Sequence, residues 1–127
     1  MKKLFLPILA ISLFTACGGS DEKKTDADNK DDVTDITQHP DYQKGLDLLA
    51  KSDCFTCHKV DEPITGPTYR EVANKYAGMP DTIISHLAGK IINGGKGVWG
   101  EVFMTPHADL SQADAEAMVK YILLLKK

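Results

Sequence analysis

The stretch Cys54-Phe55-Thr56-Cys57-His58 decides the interpretation of this 127-residue chain. A C-x-x-C-H run is the attachment signature of c-type haem. Its two thiols lie on one helical turn, where each can add to a vinyl group of the porphyrin. The adjacent imidazole of His58 then faces the iron and can supply one axial ligand. The motif therefore predicts a single haem c, covalently bound through Cys54 and Cys57.

Other uses of a C-x-x-C pair fit the rest of the chain less well. A thioredoxin-like redox pair needs alternating strands and helices, and the sequence shows no such alternation. A zinc site needs four ligands, but neither a second C-x-x-C nor an H-x-x-x-H follows the motif. A plain disulfide, formed in an oxidising compartment, is the third alternative.

Residues 1–16 are typical of a bacterial lipoprotein signal peptide. Two lysines precede an apolar stretch over 4–14 that is too short to span a bilayer comfortably. A small residue followed by Cys17 resembles a lipobox, although Phe14 stands where leucine is usual. We therefore expect an exported protein that is lipidated at Cys17 and anchored to the inner or outer membrane, facing the periplasm.

Residues 17–37 comprise the lipidated cysteine and an acidic tether. Over 18–37, seven acidic residues stand against three lysines, a net charge of −4, with almost nothing apolar to bury. Such a composition predicts a disordered, extended spacer. The remaining segment, 38–127, has a net charge of −1 and is long enough for one small domain. It lacks a basic patch interleaved with aromatic residues, so we expect no nucleic-acid partner.

The folded segment is expected to be all-α. Helices are predicted over 40–51, 68–76, 81–92 and from 111 onward, with Pro40, Asp81 and Ser111 at or beside their starts. The last helix has a core stripe formed by Met118, Tyr121, Ile122 and Leu125. A long glycine-rich loop over 94–109 separates the last two helices, and we expect it to hold the far side of the haem.

With these features, residues 39–127 resemble the small single-haem class I cytochromes c of bacterial respiratory chains. In that family a G-V-W-G run, three further residues and a ligand methionine follow the proximal histidine; here Gly97–Gly100 is such a run and Met104 lies 46 positions after His58. The resemblance implies about four helices wrapped around one haem, with His58 and Met104 as axial ligands. A methionine sulfur opposite histidine raises the haem potential.

Alternatives to this ligand pair stay open at the level of sequence. Met104 has a simpler interpretation as a gap-filling core residue, and Met79 is a rival ligand in an inter-helix turn. A bis-histidine iron through His86 or His107 is a further alternative. Met118, by contrast, belongs to the apolar stripe of the last helix and is expected in the core.

The ligand loop departs from the family pattern at three positions. Phe103 and Thr105 stand where relatives carry prolines, and His107 occupies a position where relatives often have an asparagine that hydrogen-bonds the methionine sulfur. Away from the loop, Gly45 and Tyr121 fit the close crossing of first and last helices seen in the family.

The resemblance also implies supporting roles around the haem. The carbonyl oxygen of Pro67, nine residues after His58, is expected to accept the imidazole N–H. Trp99 is expected to donate its indole N–H to a haem propionate, and Lys90 falls where relatives carry a propionate-binding basic residue. Each also has a simpler interpretation, as a turn proline, a buried aromatic and a solvated lysine.

An iron with two protein ligands has no open coordination position, which favours one-electron transfer over catalysis. We therefore expect a monomeric electron carrier, not an enzyme, that docks transiently with membrane-bound redox proteins and shuttles electrons between respiratory complexes. The alternative is an electron-entry haem subunit of a larger oxidase, dehydrogenase or peroxidase complex. A haem-based gas sensor, which needs a labile Met104, is a third hypothesis.

Overall fold

The computed structural model describes residues 35–127. The predicted signal peptide, Cys17 and nearly all of the predicted tether lie outside these residues. In chain order the described elements are α1 (Pro40–Lys51), α2 (Tyr69–Tyr76), α3 (Thr82–Asn93), β1 (Gly95–Gly97), β2 (Gly100–Met104) and α4 (Gln112–Leu124). Two short 3-10 helices, Ile36–Gln38 and Cys54–Thr56, flank α1. None of the described helices is long and apolar enough to cross a membrane.

Side chains cap the helices where the sequence places turn residues. Pro40 occupies the first position of α1, where a backbone N–H would have no acceptor within the helix, so proline is tolerated there. At the start of α2, Thr68 and Glu71 form a complete capping box, with the Thr68 hydroxyl accepting the Glu71 N–H at 3.1 Å. Ser111 accepts the N–H of Asp114 at 3.1 Å and so starts α4.

The prediction that Asp81 caps α3 is wrong. Asp81 lies at the N-cap position but already has helical backbone angles, and its side chain makes no capping hydrogen bond. The chain instead enters α3 through a turn, in which the Ile83 N–H bonds to the Pro80 carbonyl at 2.9 Å. The predicted stop is correct: α3 ends at Gly94, whose φ of +68° suits glycine.

The core is built around α4, which packs against the three other helices. The stripe predicted for this helix is buried as expected, and Met118 is completely inaccessible. The cluster of buried side chains comprises Leu49, Tyr69, Ala73, Ala88, Ile91, Ala115, Met118, Val119, Tyr121, Ile122 and Leu125. The packing of α1, α2 and α3 against α4 therefore forms the main hydrophobic core of the described residues.

The crossing of α1 and α4 depends on a residue without a side chain. A Cβ atom at Gly45 would collide with the Cβ of Tyr121 and lie 2.6 Å from the Ala117 carbonyl oxygen. Glycine therefore lets the two helix backbones approach more closely than any other residue would allow. The ring of Tyr121 then packs edge-on against Tyr42, with centroids 5.2 Å apart.

The segment predicted as an irregular loop contains a small antiparallel sheet. β1 and β2 pair with Gly95 opposite Met104 and Gly97 opposite Gly100. The fold is therefore predominantly helical, as predicted, but not purely α. Gly95, Gly97 and Gly100 all have positive φ, so the glycines that suggested a loop are the residues that allow this tight and irregular hairpin.

Arg70 ties three parts of the chain together. Its Nε and Nη2 donate to the two carboxylate oxygens of Asp61, in the loop after the C-x-x-C-H motif, and its Nη1 donates to the carbonyl of Leu125 at the end of α4. This bidentate pair has the planar geometry that arginine and carboxylate favour. The clamp joins the loop, α2 and the end of α4.

We predict that Asp61→Asn lowers the melting temperature at pH 7 and that this difference disappears in acid. Hydrogen bonding from Arg70 holds the pKa of Asp61 below its usual value. The carboxylate therefore adds stability above the ordinary pKa of about 3.9. That stability is lost as the pH falls through the lowered folded-state pKa. Melting curves followed by circular dichroism between pH 7 and 3 test this, with Asp109→Asn as an exposed control. A difference that grows toward acid pH would contradict it.

A second prediction concerns the helix crossing. Gly45→Ala should lower the free energy of unfolding by about 1–3 kcal/mol, because the added methyl group overpacks the contact with α4. Gly89→Ala is the matched control: in α3, a Cβ at Gly89 would meet only the Asn93 side-chain nitrogen, at 4.0 Å. That substitution should stabilise the helix by about 0.5–1 kcal/mol. Denaturant titrations of both variants decide; equal effects would refute the close crossing.

Candidate functional site

The C-x-x-C-H motif forms a tight turn directly after α1. Asp53 enters it in the left-handed conformation, and the Cys54 carbonyl then accepts the N–H groups of Cys57 at 3.2 Å and His58 at 3.0 Å. Both cysteines are free thiols, so the disulfide alternative does not hold in this structure. Among residues 35–127 no group of three or more potential ligands is placed to hold a metal ion, which disfavours the zinc alternative there.

The two thiols differ in their surroundings. Cys57 is exposed, whereas Cys54 is half-buried and its Sγ lies 3.5 Å from the Ser52 carbonyl oxygen. Burial raises the pKa of the Cys54 thiol. One sulfur therefore faces solvent and the other faces the core.

The ring of His58 is held by the backbone of the following loop. Its Nδ1 lies 2.7 Å from the carbonyl oxygen of Pro67. Since a carbonyl oxygen only accepts, Nδ1 carries the proton and Nε2 keeps its lone pair for an electrophile. Gly66 makes this possible, because a Cβ there would lie 2.8 Å from Nδ1. The contact between His58 and Pro67 is where the sequence placed it, while the need for Gly66 emerges only from the structure.

Tyr69 completes the wall behind this imidazole. Its ring stacks on that of His58 with centroids 5.3 Å apart and an interplanar angle of 18°, and it meets Phe55 edge-on at 5.8 Å. Burial raises the pKa of the phenol well above its usual value, and the nearby Cys54 thiol adds to this shift. The sequence analysis missed Tyr69; its place two residues after Pro67 was the available indication.

Met104 ends β2 and is held against the end of α3. Its side chain is half-buried and packs on the core cluster. Gly94 lies so close that a Cβ there would collide with the Met104 carbonyl and lie 3.0 Å from the Pro106 nitrogen. The His107 N–H bonds to the Ile91 carbonyl at 3.0 Å. The loop around Met104 is therefore fixed at both ends.

The other candidate ligands lie in different settings. Met118 is fully buried in the core, as expected, and Met79 is 47% exposed in the turn before α3. His86 is exposed on α3. His107 is half-buried, and its Nδ1 is buried without a hydrogen-bond partner among the described residues.

The two residues predicted at the propionates are both accessible. Trp99 is 43% exposed at the hairpin turn. The ammonium of Lys75, from α2, lies 5.4 Å from the centre of the Trp99 ring. Lys90 is exposed on α3, and within residues 35–127 its side chain makes no ion pair. The structure thus brings Lys75, which the sequence analysis did not single out, to the tryptophan.

Large apolar side chains are exposed in the segments between the motif and α4. They are Ile64, Met79, Val98, Trp99, Val102 and Phe103. Exposed side chains of this kind are available for apolar contact with a bound group. These side chains, two free thiols and an imidazole with an available Nε2 fit the needs of a haem c: apolar contact for the macrocycle, sulfur for two vinyl groups and nitrogen for iron.

Comparison with known proteins agrees with this geometry. The family model described as Cytochrome c matches residues 42–126. Cytochrome c-552 of Nitrosomonas europaea is 43% identical over 84 residues, which cover 66% of this chain and 81% of that protein. Its crystal structure superposes with a TM-score of 0.60, covering 64% of this chain and 99% of that one.

Two further relatives support the assignment. Cytochrome c-551 of Allochromatium vinosum is 41% identical over 90 residues, covering 71% of this chain and 95% of that protein. The crystal structure of the class 1 cytochrome MtoD from Sideroxydans lithotrophicus has a TM-score of 0.55 at 29% identity, and the match covers 65% of this chain and 94% of that one.

The family match spans the motif turn, all of the residues against His58 and the Met104 loop. It confirms the predicted cofactor and the predominantly helical fold. The chain therefore belongs to the cytochrome c family, as a small class I member that carries one haem c bound covalently through Cys54 and Cys57 and serves as a single-haem electron carrier.

Proposed function

We propose that this protein is a lipid-anchored electron shuttle between membrane-bound respiratory complexes, with the haem iron ligated by His58 and Met104. The observation that carries the proposal is the hydrogen bond between His58 Nδ1 and the Pro67 carbonyl, which anchors one atom of the ring and leaves Nε2 available. Haem c bound at this site supplies one-electron iron chemistry. The protein's part is to hold two ligands so that no coordination position is open to substrate.

His58 has the support expected of a metal-bound histidine. A carbonyl acceptor on the second ring nitrogen sets the tautomer and strengthens donation through the first. Gly66 gives the ring room, and the Gly66 N–H bonds to the Cys57 carbonyl at 2.8 Å, which ties the loop to the motif. A ring so constrained needs little rearrangement when the iron changes oxidation state.

Met104 is the sixth ligand in this proposal. It lies in a loop held by Gly94 and by the His107 N–H, whereas Met118 is committed to the core and Met79 lies in an exposed turn. A thioether sulfur favours the reduced iron and raises the potential. Because both ligands are protein atoms, the site favours electron transfer and not catalysis.

The roles proposed for the pocket residues rest on the family resemblance and fit the exposure of Trp99 and Lys90. Pro67 orients His58, and Trp99 donates its indole N–H to a haem propionate. Lys90 adds positive charge near the propionates from α3. The Lys75 ammonium over the Trp99 ring supports the orientation of the indole through a cation–π contact, worth about 0.5–1 kcal/mol at exposed sites.

The cellular setting is a further part of the proposal. Residues 1–16 direct export, Cys17 is lipidated, and the acidic segment up to residue 37 tethers a monomeric domain at the periplasmic face of a membrane. A tether raises the effective concentration of the domain near membrane-bound partners. Docking is transient, as cytochromes c that pass electrons need rapid release after each encounter.

We predict that Met104→Ala abolishes the methionine-to-iron charge-transfer band of the oxidised protein and lowers the midpoint potential. Rapid carbon monoxide binding by the reduced variant, absent in the parent, should accompany the loss, since one coordination position opens. Met79→Ala is the control and should leave the band, the potential and the carbon monoxide response unchanged. Optical spectra during a reductive titration report all three, and a Met104→Ala spectrum identical to the parent would disprove this ligation.

For the anchor, we predict that Cys17→Ser moves the haem-loaded protein from the membrane fraction to the soluble periplasmic fraction. The haem spectrum should be unchanged, because Cys17 lies outside the haem domain. Metabolic labelling with a fatty acid should mark the parent and not the variant. A parent that is unlabelled and found in the soluble fraction would contradict the proposed lipid anchor while leaving the haem ligation untouched.

A further inference from the structure

Tyr69 has a buried hydroxyl with no partner. The residue is 3% exposed, and its hydroxyl finds no hydrogen bond among the described residues. Leaving a buried hydroxyl unpaired is costly, so such groups usually have a partner. Haem bound here would be held through His58 Nε2 and the two cysteine sulfurs, and Tyr69 packs against this attachment site, so its atoms are the candidates for that partner.

The position of Tyr69 is set by the motif itself. Its backbone N–H bonds to the carbonyl of Lys59, the residue after His58, at 2.9 Å. Its ring lies nearly parallel to the imidazole and edge-on to Phe55. Backbone and ring are thus both tied to the five-residue turn. The Pro67 carbonyl fixes one atom of the imidazole, but a single hydrogen bond leaves the ring able to rotate about it; a stacked aromatic restricts that rotation.

Of the two sulfurs, only Cys54 suits the hydroxyl. Cys57 is exposed, whereas Cys54 is half-buried and packs against the core cluster that contains Tyr69. A thioether sulfur has no proton and accepts hydrogen bonds weakly. Once Cys54 is bonded to haem, its sulfur can only accept, so the Tyr69 hydroxyl, which lacks a partner, can act as the donor.

We propose that Tyr69 is a positioning residue for the haem: its ring fixes the plane of the His58 imidazole, and its hydroxyl donates to the Cys54 thioether sulfur. This inference rests on the proposed ligation of iron by His58. A donor on that sulfur withdraws electron density from the haem edge and so favours the reduced state.

The test separates the ring from the hydroxyl. Tyr69→Phe keeps the stacked ring and removes the hydroxyl; Tyr69→Leu removes both. Tyr121→Phe is the matched control, because Tyr121 is equally buried at 3% exposure but packs against Tyr42. Each haem-loaded protein is measured by reductive titration and by proton NMR of the oxidised form, in which the spread of the haem-methyl shifts reports the orientation of the axial imidazole.

We expect Tyr69→Phe to lower the midpoint potential while keeping the order of the haem-methyl shifts. Tyr69→Leu should lower the potential and also change that order. Tyr121→Phe should resemble the parent in both measurements, even where its melting temperature falls. A Tyr69→Phe potential equal to the parent's overturns the role of the hydroxyl.

The role of the ring has its own test in the parent protein. Nuclear Overhauser contacts between the Tyr69 and His58 rings are expected in the reduced form, and their absence overturns the stacking whether or not Tyr69→Leu folds. A parent whose spectra lack a histidine-bound low-spin iron would instead refute the proposed ligation. The two failures are therefore distinguishable.

Discussion

The loop that follows the C-x-x-C-H turn folds back onto the turn, and the rest of the site depends on this return. Three backbone hydrogen bonds hold it, besides those within the turn: they pair Cys57 with Gly66, Lys59 with Tyr69 and Val60 with Arg70. The Pro67 carbonyl holds the imidazole. The constraint is one of space: the ring of His58 lies against the backbone at Gly66, where no side chain fits. The path of the loop therefore sets the orientation of the His58 ring.

Helix α2 connects this loop to the C-terminal residues of the domain. Tyr69 opens α2 beside His58, and the next residue, Arg70, joins the loop to the last residues of the domain. A backbone bond from Lys127 to the Asn74 side chain, at 3.0 Å, reinforces the same junction. The helix that supports the proximal side of the haem also fixes the end of the central helix α4. Residues of α2 therefore both stabilise the fold and position His58, as expected in so small a domain.

The segment around Met104 is supported in another way. The Met104 loop is held by a glycine at the end of α3 and by one backbone hydrogen bond from His107, and its β-hairpin leaves Val102 and Phe103 60% exposed each. The hairpin ion pair between Lys96 and Glu101 is itself exposed and contributes little, because surface pairs are screened by water. Backbone hydrogen bonds therefore hold this segment at fewer points than the loop beside His58.

The sequence by itself determined the cofactor, the helices and the contact between His58 and Pro67, because each depends on residues close together in the chain. The C-x-x-C-H spacing, Pro40 at the first position of α1, the Ser111 cap of α4 and the place of Pro67 are local patterns. At Asp81 the local pattern was misleading, because the residue already has helical backbone angles and its side chain makes no capping hydrogen bond.

Only the tertiary structure decided the features that join distant residues. The stacking of Tyr69 on His58, the contact of Gly94 with the Met104 loop and the placement of Lys75 over Trp99 unite residues 10 to 24 positions apart. The hairpin was missed because its glycines indicate a loop unless their positive φ values are known. Such contacts arise when whole helices and strands pack against one another. The distance between two such side chains therefore cannot be read from a short stretch of sequence.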